Sequence, residues 1–480
     1  MGLLLVTATG ICSMMGASIN VIPFMIQKNV PGIGPYVVPA FLFAAIPAIF
    51  AAYAYAILSS AMPRAGGSYL YASRGLSPYL GFIASFSQWF GLSIVIGVIS
   101  YIIVPFIRDV FFNLGLMNIS DFLEIGSVRL TISLLLIWLF VFVNIVGGKV
   151  YRNTLIPMLV IMFVLGSIVL ITGLVYDQND FINSVLNSEN RVIEPTSNIK
   201  FDWKIFLTAA TLMFSSFIGF DAIAQTGNEA KNPTKNIPRA ILLAIFIVAS
   251  YYILFTISVY NIVPWSFVAD ESITKDITAP GLLSYVLPTF WGISIIIGAA
   301  IALINDLPAM ILSVSRLMFA WAKDNIFPKR VALIHSKFNT PYIAIILVGV
   351  VASIGAIGSH FAGDFFLGID IMVTSMMINF LLMCVTLISI QKVNFKLFRN
   401  ITVIKNRAIQ LFIGYTGTLI ILIFLIIHTY KDLSSNVEEW YFHSTYIYLI
   451  VMIIASIYFA LRWKTVKVKN NNTFKTLPVE

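Results

Sequence analysis

The chain has 480 residues, of which 59% are hydrophobic and only 11% charged. Water-facing globular chains are nearer half apolar and a quarter charged, so this composition excludes an ordinary soluble protein and requires lipid over much of the surface. The net charge of +9 could suit nucleic acid, but the positions of the basic residues argue against that partner, as shown below.

At about 20 residues per crossing, the length suits about a dozen spanning helices rather than several soluble domains. Apolar runs follow one another at Gly2–Gln27, Pro35–Met62, Tyr79–Ile107, Leu130–Gly147, Leu155–Tyr176 and Ile205–Thr226. They continue at Ala240–Ile262, Leu287–Ser315, Tyr342–His360, Phe366–Ile390, Ala408–Thr429 and Tyr446–Arg462. These are predicted spans 1 to 12. The first is too long and too poor in basic residues for a cleavable signal. Cys12 and Cys384 lie in apolar runs far apart and are expected as small buried hydrophobes, not a disulfide or metal site. Of the 30 Lys and Arg, 22 follow even-numbered spans or lie in the tail, and eight lie on the other side. This bias predicts a multi-pass cell-membrane protein with both termini cytoplasmic. Topology and attraction to anionic lipid account for the basic tail, Arg462, Lys464, Lys467 and Lys469.

Spans 1 and 6 differ from the rest. Span 1 contains Gly10-Ile11-Cys12-Ser13-Met14-Met15-Gly16-Ala17-Ser18, and span 6 contains Ser215-Ser216-Phe217-Ile218-Gly219-Phe220-Asp221, then Gly227. Small and polar residues permit an unwound segment, and unwound backbone inside a membrane is tolerated only where it lines a cavity. The second half of span 1 would begin near Gly16–Ser18, with free N–H groups and a positive dipole end directed into the cavity. That makes a carboxylate site without arginine, while carbonyls ending the first halves could take an ammonium. Matching breaks five spans apart are the signature of an inverted repeat. Close packing through small residues would explain one such helix but not the matched pair. The predicted breaks lie between Cys12 and Ser18 and between Ser216 and Gly227. Ser13, Met14, Gly16, Ala17, Ser18, Ser215, Ser216, Phe217 and Gly219 are the candidate substrate-binding residues.

Four segments carry a resemblance to the amino acid–polyamine–organocation (APC) transporter superfamily, and to its amino acid permeases. They are the glycine-rich span 1; Pro63-Arg64-Ala65-Gly66-Gly67-Ser68-Tyr69-Leu70-Tyr71 after span 2; Glu229-Ala230-Lys231-Asn232-Pro233 and Asn236-Ile237-Pro238-Arg239-Ala240 after span 6; and Arg316, Ala320, Lys323-Asp324-Asn325, Pro328 and Asn339-Thr340-Pro341 after span 8. The resemblance implies an all-α membrane fold with a five-plus-five inverted-repeat (LeuT-like) core over residues 1–391. Residues 392–480 would supply two accessory helices and the tail. It also implies alternating access about a midplane site, with an amino acid or a polyamine or related amine as the small-molecule substrate. Gly66-Gly67 suits a tight turn, Asn325 a left-handed cap in place of the family's usual Gly, and Pro233 and Pro238 a chain break between spans 6 and 7. Ser18 and Asn20 stand where the family often has Gly and an aromatic, which makes the pocket more polar. The lysine that some relatives carry in span 5 is missing between Arg152 and Asp177.

Span 8 contains Ile304-Asn305-Asp306-Leu307-Pro308. Asp306 precedes Arg316 by ten residues, roughly 15 Å of rise, and so lies near the bilayer centre. An ionised Asp there costs roughly 2.5–3.5 kcal/mol, and intramembrane acids are functional by default. Pro308 lacks an N–H and leaves the carbonyl of Ile304 unpaired. Asp306 could hold Na⁺ together with Asn305, since hard cations prefer oxygen ligands. It could instead carry a proton, pair with a cationic substrate, or be a neutral hydrogen-bonded Asp in a kinked helix. Asp221 aligns with an acid that family members often carry beside the pocket, which makes it a second proton-carrier or gating candidate. No cofactor beyond a coupling Na⁺ or H⁺ is expected. Asn144, His360, Asp364 and Asp370 lie nearer the membrane edges, where solvated or helix-end roles suffice. An intramembrane enzyme would need a convergent nucleophile or metal set, and no His-x-x-x-His or paired intramembrane acids appear on one span. A channel lacks a repeated filter loop here, and saturable, stereoselective uptake would separate a carrier from a transport-dead sensor. Nothing in the sequence sets the oligomeric state.

Overall fold

A computed structural model describes residues 1–193, 199–227, 229–274, 276–362, 366–437, 439–469 and 473–478, by backbone alone at 17, 148–154, 464–465, 467–469 and 473. Twelve helices in it are long and apolar enough to cross a membrane, and the described residues contain no strand. A helix satisfies its own backbone polar groups, which hydrocarbon cannot do for it. In chain order the spans are α1 (two halves, Leu3–Met14 and Ala17–Asn29), α2 (Val37–Ala61), α3 (Pro78–Asn113), α4 (Gly126–Val146) and α5 (Gly148–Val175). α6 is helical over Trp203–Met213 and then 3₁₀-like over Phe214–Phe217 and Phe220–Thr226. α7 (Pro233–Ile262), α8 (Thr289–Lys323), α9 (Tyr342–Ala362), α10 (Phe366–Val393), α11 (Arg407–Leu433) and α12 (Ser444–Lys469) complete the set.

The twelve apolar runs thus become twelve spans, several longer than their apolar part. α3 continues past Ile107 because Arg108 and Asp109 pair at 2.6 Å without leaving the helix. α8 continues past Ser315 because Arg316 reaches across to Glu229. The expectation for Pro233 and Pro238 holds only in part: α6 ends at Thr226 and a new helix starts at Pro233, but Pro238 marks no break. Pro233 opens α7 and Pro238 lies inside it. A proline costs little in a first turn, where its missing N–H has no partner in any case, and Pro238 follows only one turn later.

α3 is the central post, packed against α8, α9 and α10. It starts at a built cap, Ser77, whose side chain accepts from Leu80 N at 3.2 Å before Pro78. α4, α5, α7, α11 and α12 turn large apolar side chains outward, among them Phe142, Leu174, Leu254, Phe412 and Ile454. Their exposure is what a lipid-facing rim requires. Asp364 lies outside the described residues. Asp370, near the start of α10, takes the helix-end rather than the solvated role: it is buried and pairs with Lys431 of α11 at 3.3 Å.

Candidate substrate site

The interruption of α1 falls at Met15–Gly16. Met15 N still bonds Ile11 O at 2.8 Å, but Gly16 N turns back to Met14 O at 3.1 Å, and Gly16 has ψ −136°. The interruption of α6 falls at Ile218–Gly219, where Ile218 is extended and Gly219 takes φ +132°. The α6 break packs on the end of the first half of α1. A Cβ on Gly219 would overlap Ser13 O and stand 2.6 Å from its carbonyl carbon. The break in α6 therefore meets the backbone at the last turn of the first half of α1, just before the α1 break.

Beside this crossing lies a small cavity of about 50 Å³. α1 contributes Ser13, Met14, Ser18, Val21 and Ile22; α3 contributes Val95, Val98, Ile99 and Ile102; α6 contributes Ser215 and Ile218. α8 contributes Asp306 and Met310, and α10 contributes Ile369 and Met372. Four polar side chains, from Ser13, Ser18, Ser215 and Asp306, thus face a wall of branched aliphatic and thioether groups without an aromatic ring.

Asp306 approaches the unwound part of α1. A Cβ on Gly16 would overlap Asp306 Oδ2 and stand 3.2 Å from its Cγ. The carboxyl is buried, and its Oδ1 has no hydrogen-bond partner among the described residues. Asn305 points elsewhere, its Nδ2 donating to Cys12 Sγ at 3.0 Å.

The other candidates divide by position. Ser13, Met14, Ser18 and Ser215 line the cavity, and Gly16 supplies the space for Asp306. Ala17 opens the second half of α1, its side chain being outside the described set. Ser216 is buried away from the cavity, and Phe217 packs behind the break on Phe41 and Tyr252. Asp221 lies past Gly219 toward the termini side, accepting from Gly219 N at 3.2 Å and from Gln88 Nε2. Gln88 Oε1 accepts from Ser68 and, at 2.8 Å, from Asn379, whose Oδ1 accepts from Tyr55. This closed network ties α2, α3, α6 and α10 together under the cavity floor.

Tyr252 of α7 was not singled out in the sequence. Its hydroxyl donates to Met14 O at 2.5 Å and lies 3.1 Å from Ser18 Oγ, so it staples both sides of the α1 break. Tyr252→Phe removes only that hydroxyl. A buried hydrogen bond contributes about 1 kcal/mol net, so substrate binding is expected to weaken about fivefold in an otherwise folded protein. Ligand-protected thermal shifts on purified protein would check this, and unchanged affinity would remove Tyr252 from the site.

Twelve apolar spans, two interrupted helices packed together and a small cavity beside their contact define a multi-pass membrane transporter. The chain belongs to the amino acid permease family, whose model matches residues 1–456. It is 35% identical over 152 residues to an uncharacterized transporter of Mycobacterium tuberculosis, covering 31% of this chain and 33% of that protein. It is 28% identical over 150 residues to the branched-chain amino acid permease BcaP of Bacillus subtilis, covering 31% of each. It is 34% identical over 149 residues to the low-affinity putrescine importer PlaP of Escherichia coli, covering 30% of this chain and 32% of the relative. The chain spans about a third of the length of each of these relatives.

Proposed function

We propose that this chain imports small α-amino acids with aliphatic side chains across the cell membrane by alternating access, together with a proton. The observation that carries the reading is the cavity itself: a wall of Val, Ile and Met around one unwound helix start and one carboxyl with an unpartnered oxygen. The first-turn N–H groups of the second half of α1 have no intrahelical acceptor and suit the substrate carboxylate. Carbonyls at the end of the first half suit the ammonium, and the aliphatic wall suits the side chain. The partial match to a branched-chain amino acid permease supports the same substrate class. A proton is favoured over Na⁺ because Asn305 is engaged by Cys12 while Asp306 faces Gly16. The basic bias of the loops supports cytoplasmic termini. In this reading α1 to α10 form the moving core, with α11 and α12 outside it.

In proteoliposomes, uptake of labelled valine, leucine, isoleucine and methionine is expected to rise with an inward proton gradient, collapse with a protonophore and ignore Na⁺. Uptake driven by Na⁺ at uniform pH would overturn the proton assignment. A second reading, a carrier of amines, is favoured by the carboxyl in the cavity and by the partial match to a putrescine importer. Binding that survives amidation of the substrate carboxylate, or uptake of putrescine in preference to leucine, would decide for it.

A further inference from the structure

We infer that Asp306 stands in for the substrate's carboxylate when the carrier is empty, and that this makes the protein a net importer rather than an obligatory exchanger. The inference rests on the reading above, in which the substrate carboxylate docks at the start of the second half of α1.

That half-helix runs for 13 residues, Ala17–Asn29, and its N-cap, Gly16, offers no side-chain cap. Four N–H groups at a helix start lack intrahelical acceptors, and the start carries about half a positive charge. Such an end favours an anion, the more so where water is excluded. Asp306 is the acid placed to provide it: its Oδ2 fills the space a Cβ of Gly16 would take. The residue is 3% exposed, its other oxygen is unpartnered, and it lines the cavity. Gly16 is needed for space rather than for backbone freedom, since its φ of −111° is open to any residue.

A substrate carboxylate needs the same place. Two ionised carboxylates do not share one helix end, because like charges at that distance disfavour each other's charged form. Substrate binding therefore releases Asp306 as it takes up the coupled proton from the outer solution. After substrate and proton leave on the cytoplasmic side, Asp306 is again an anion and resumes its place. One carboxylate faces the helix end in both the loaded and the empty carrier, so both can close and reorient. A carrier without such a residue leaves the helix end bare when empty, and only its loaded form crosses. The groups around Asp306 do not duplicate this role. The cavity faces of α3, α6 and α10 present no ionisable side chain. Asp221 of α6 is held under the floor by Gln88 and Gly219 N. The other titratable groups near Asp306 are the phenol of Tyr252 on α7 and the thiol of Cys12 on α1, neither an anion.

The test compares net uptake of labelled leucine into empty proteoliposomes with exchange into leucine-loaded ones, for wild type and Asp306→Asn. The amide keeps the shape and removes the anion. Net uptake in the variant is expected to fall at least about tenfold relative to exchange, the size of effect that loss of a charge at a partly buried helix end produces. An unchanged ratio, whether both rates fall together or neither moves, overturns the inference and leaves the amino acid reading intact. Absence of wild-type uptake for every amino acid tried overturns that reading and this inference with it. Should Asp306→Asn not yield monodisperse protein, the wild type decides. Internal leucine should accelerate entry by less than about twofold, since the empty carrier returns nearly as easily as the loaded one. Acceleration of about tenfold or more would mean that the helix end is not compensated when empty.

Discussion

Gly219→Ala is expected to abolish transport. Gly219 holds φ +132° and ψ −22°, a conformation that L side chains rarely adopt; residues forced into such regions cost about 1–3 kcal/mol each. The added methyl also has nowhere to go. It would overlap Ser13 O, with Met14 Cγ at 2.9 Å, so the neighbour that must yield is the backbone of α1 at the cavity. Relief of the clash separates the two unwound segments and displaces Ser13 and Ser215 from their common cavity. Since about 1.4 kcal/mol is a factor of ten, strain of this size passed to the site should weaken binding about fivefold or more. Uptake should be undetectable, while the variant still elutes as wild type because the twelve spans keep their apolar contacts. Gly358, where an added Cβ meets nothing within 4 Å, provides the control: Gly358→Ala should transport normally. Equal activity of the two variants would show that the crossing of α1 and α6 tolerates separation, and that the cavity beside it is not the substrate site.

Much of this architecture was legible in the sequence because the membrane imposes strong rules. Twelve runs of sufficient length gave twelve helices, and glycine-rich composition located both interruptions. Asp306 was visible by depth, counted back from Arg316, and it does face the unwound part of α1. The special backbone positions were equally readable: Asn325 has φ +64°, and Gly66 and Gly67 have φ +112° and +36°.

What stayed hidden has one physical cause. A helix that is apolar all round carries no sign of which face lines a cavity. Val95, Val98, Ile99 and Ile102 share one face of α3 and form much of the cavity wall, yet they read like the lipid-facing residues of α4. Tyr252 was silent for a related reason: its neighbour Tyr251 is the same residue type, and only packing decides that Tyr252 reaches Met14 O. Gln88 and Asn379 did leave a signal, as amides inside apolar runs. Their meaning depended on meeting Asp221, which no single span reveals.

The second large effect is expected at Arg74, in the short helix Gly67–Gly75 between α2 and α3. Arg74 is 1% exposed, and its Nη1 lies 2.7 Å from Asp324 at the end of α8. Tyr69 OH donates to the same carboxylate oxygen at 2.6 Å. Arg74 Nε contacts Thr476 O at 3.4 Å, and Phe474 covers the guanidinium at 5.3 Å, so the tail is fastened over the pair. Arg74→Ala leaves Asp324 buried with Tyr69 alone. Breaking a buried pair from one side costs about 3–5 kcal/mol, whereas replacing both partners with apolar groups is often neutral or better. The single variant should therefore melt well below wild type in detergent, and Arg74→Met/Asp324→Leu should recover most of the loss. The double variant also separates stability from function. The pair joins the motif segment after α2 to the end of α8 on the termini side. If it holds that side shut, the recovered double variant should open there more readily. A cysteine placed at Ser315, buried on the termini-side part of α8, should then label faster than in wild type after the native Cys12 and Cys384 are replaced. Recovery of stability without faster labelling would make the pair a fastening of the fold alone.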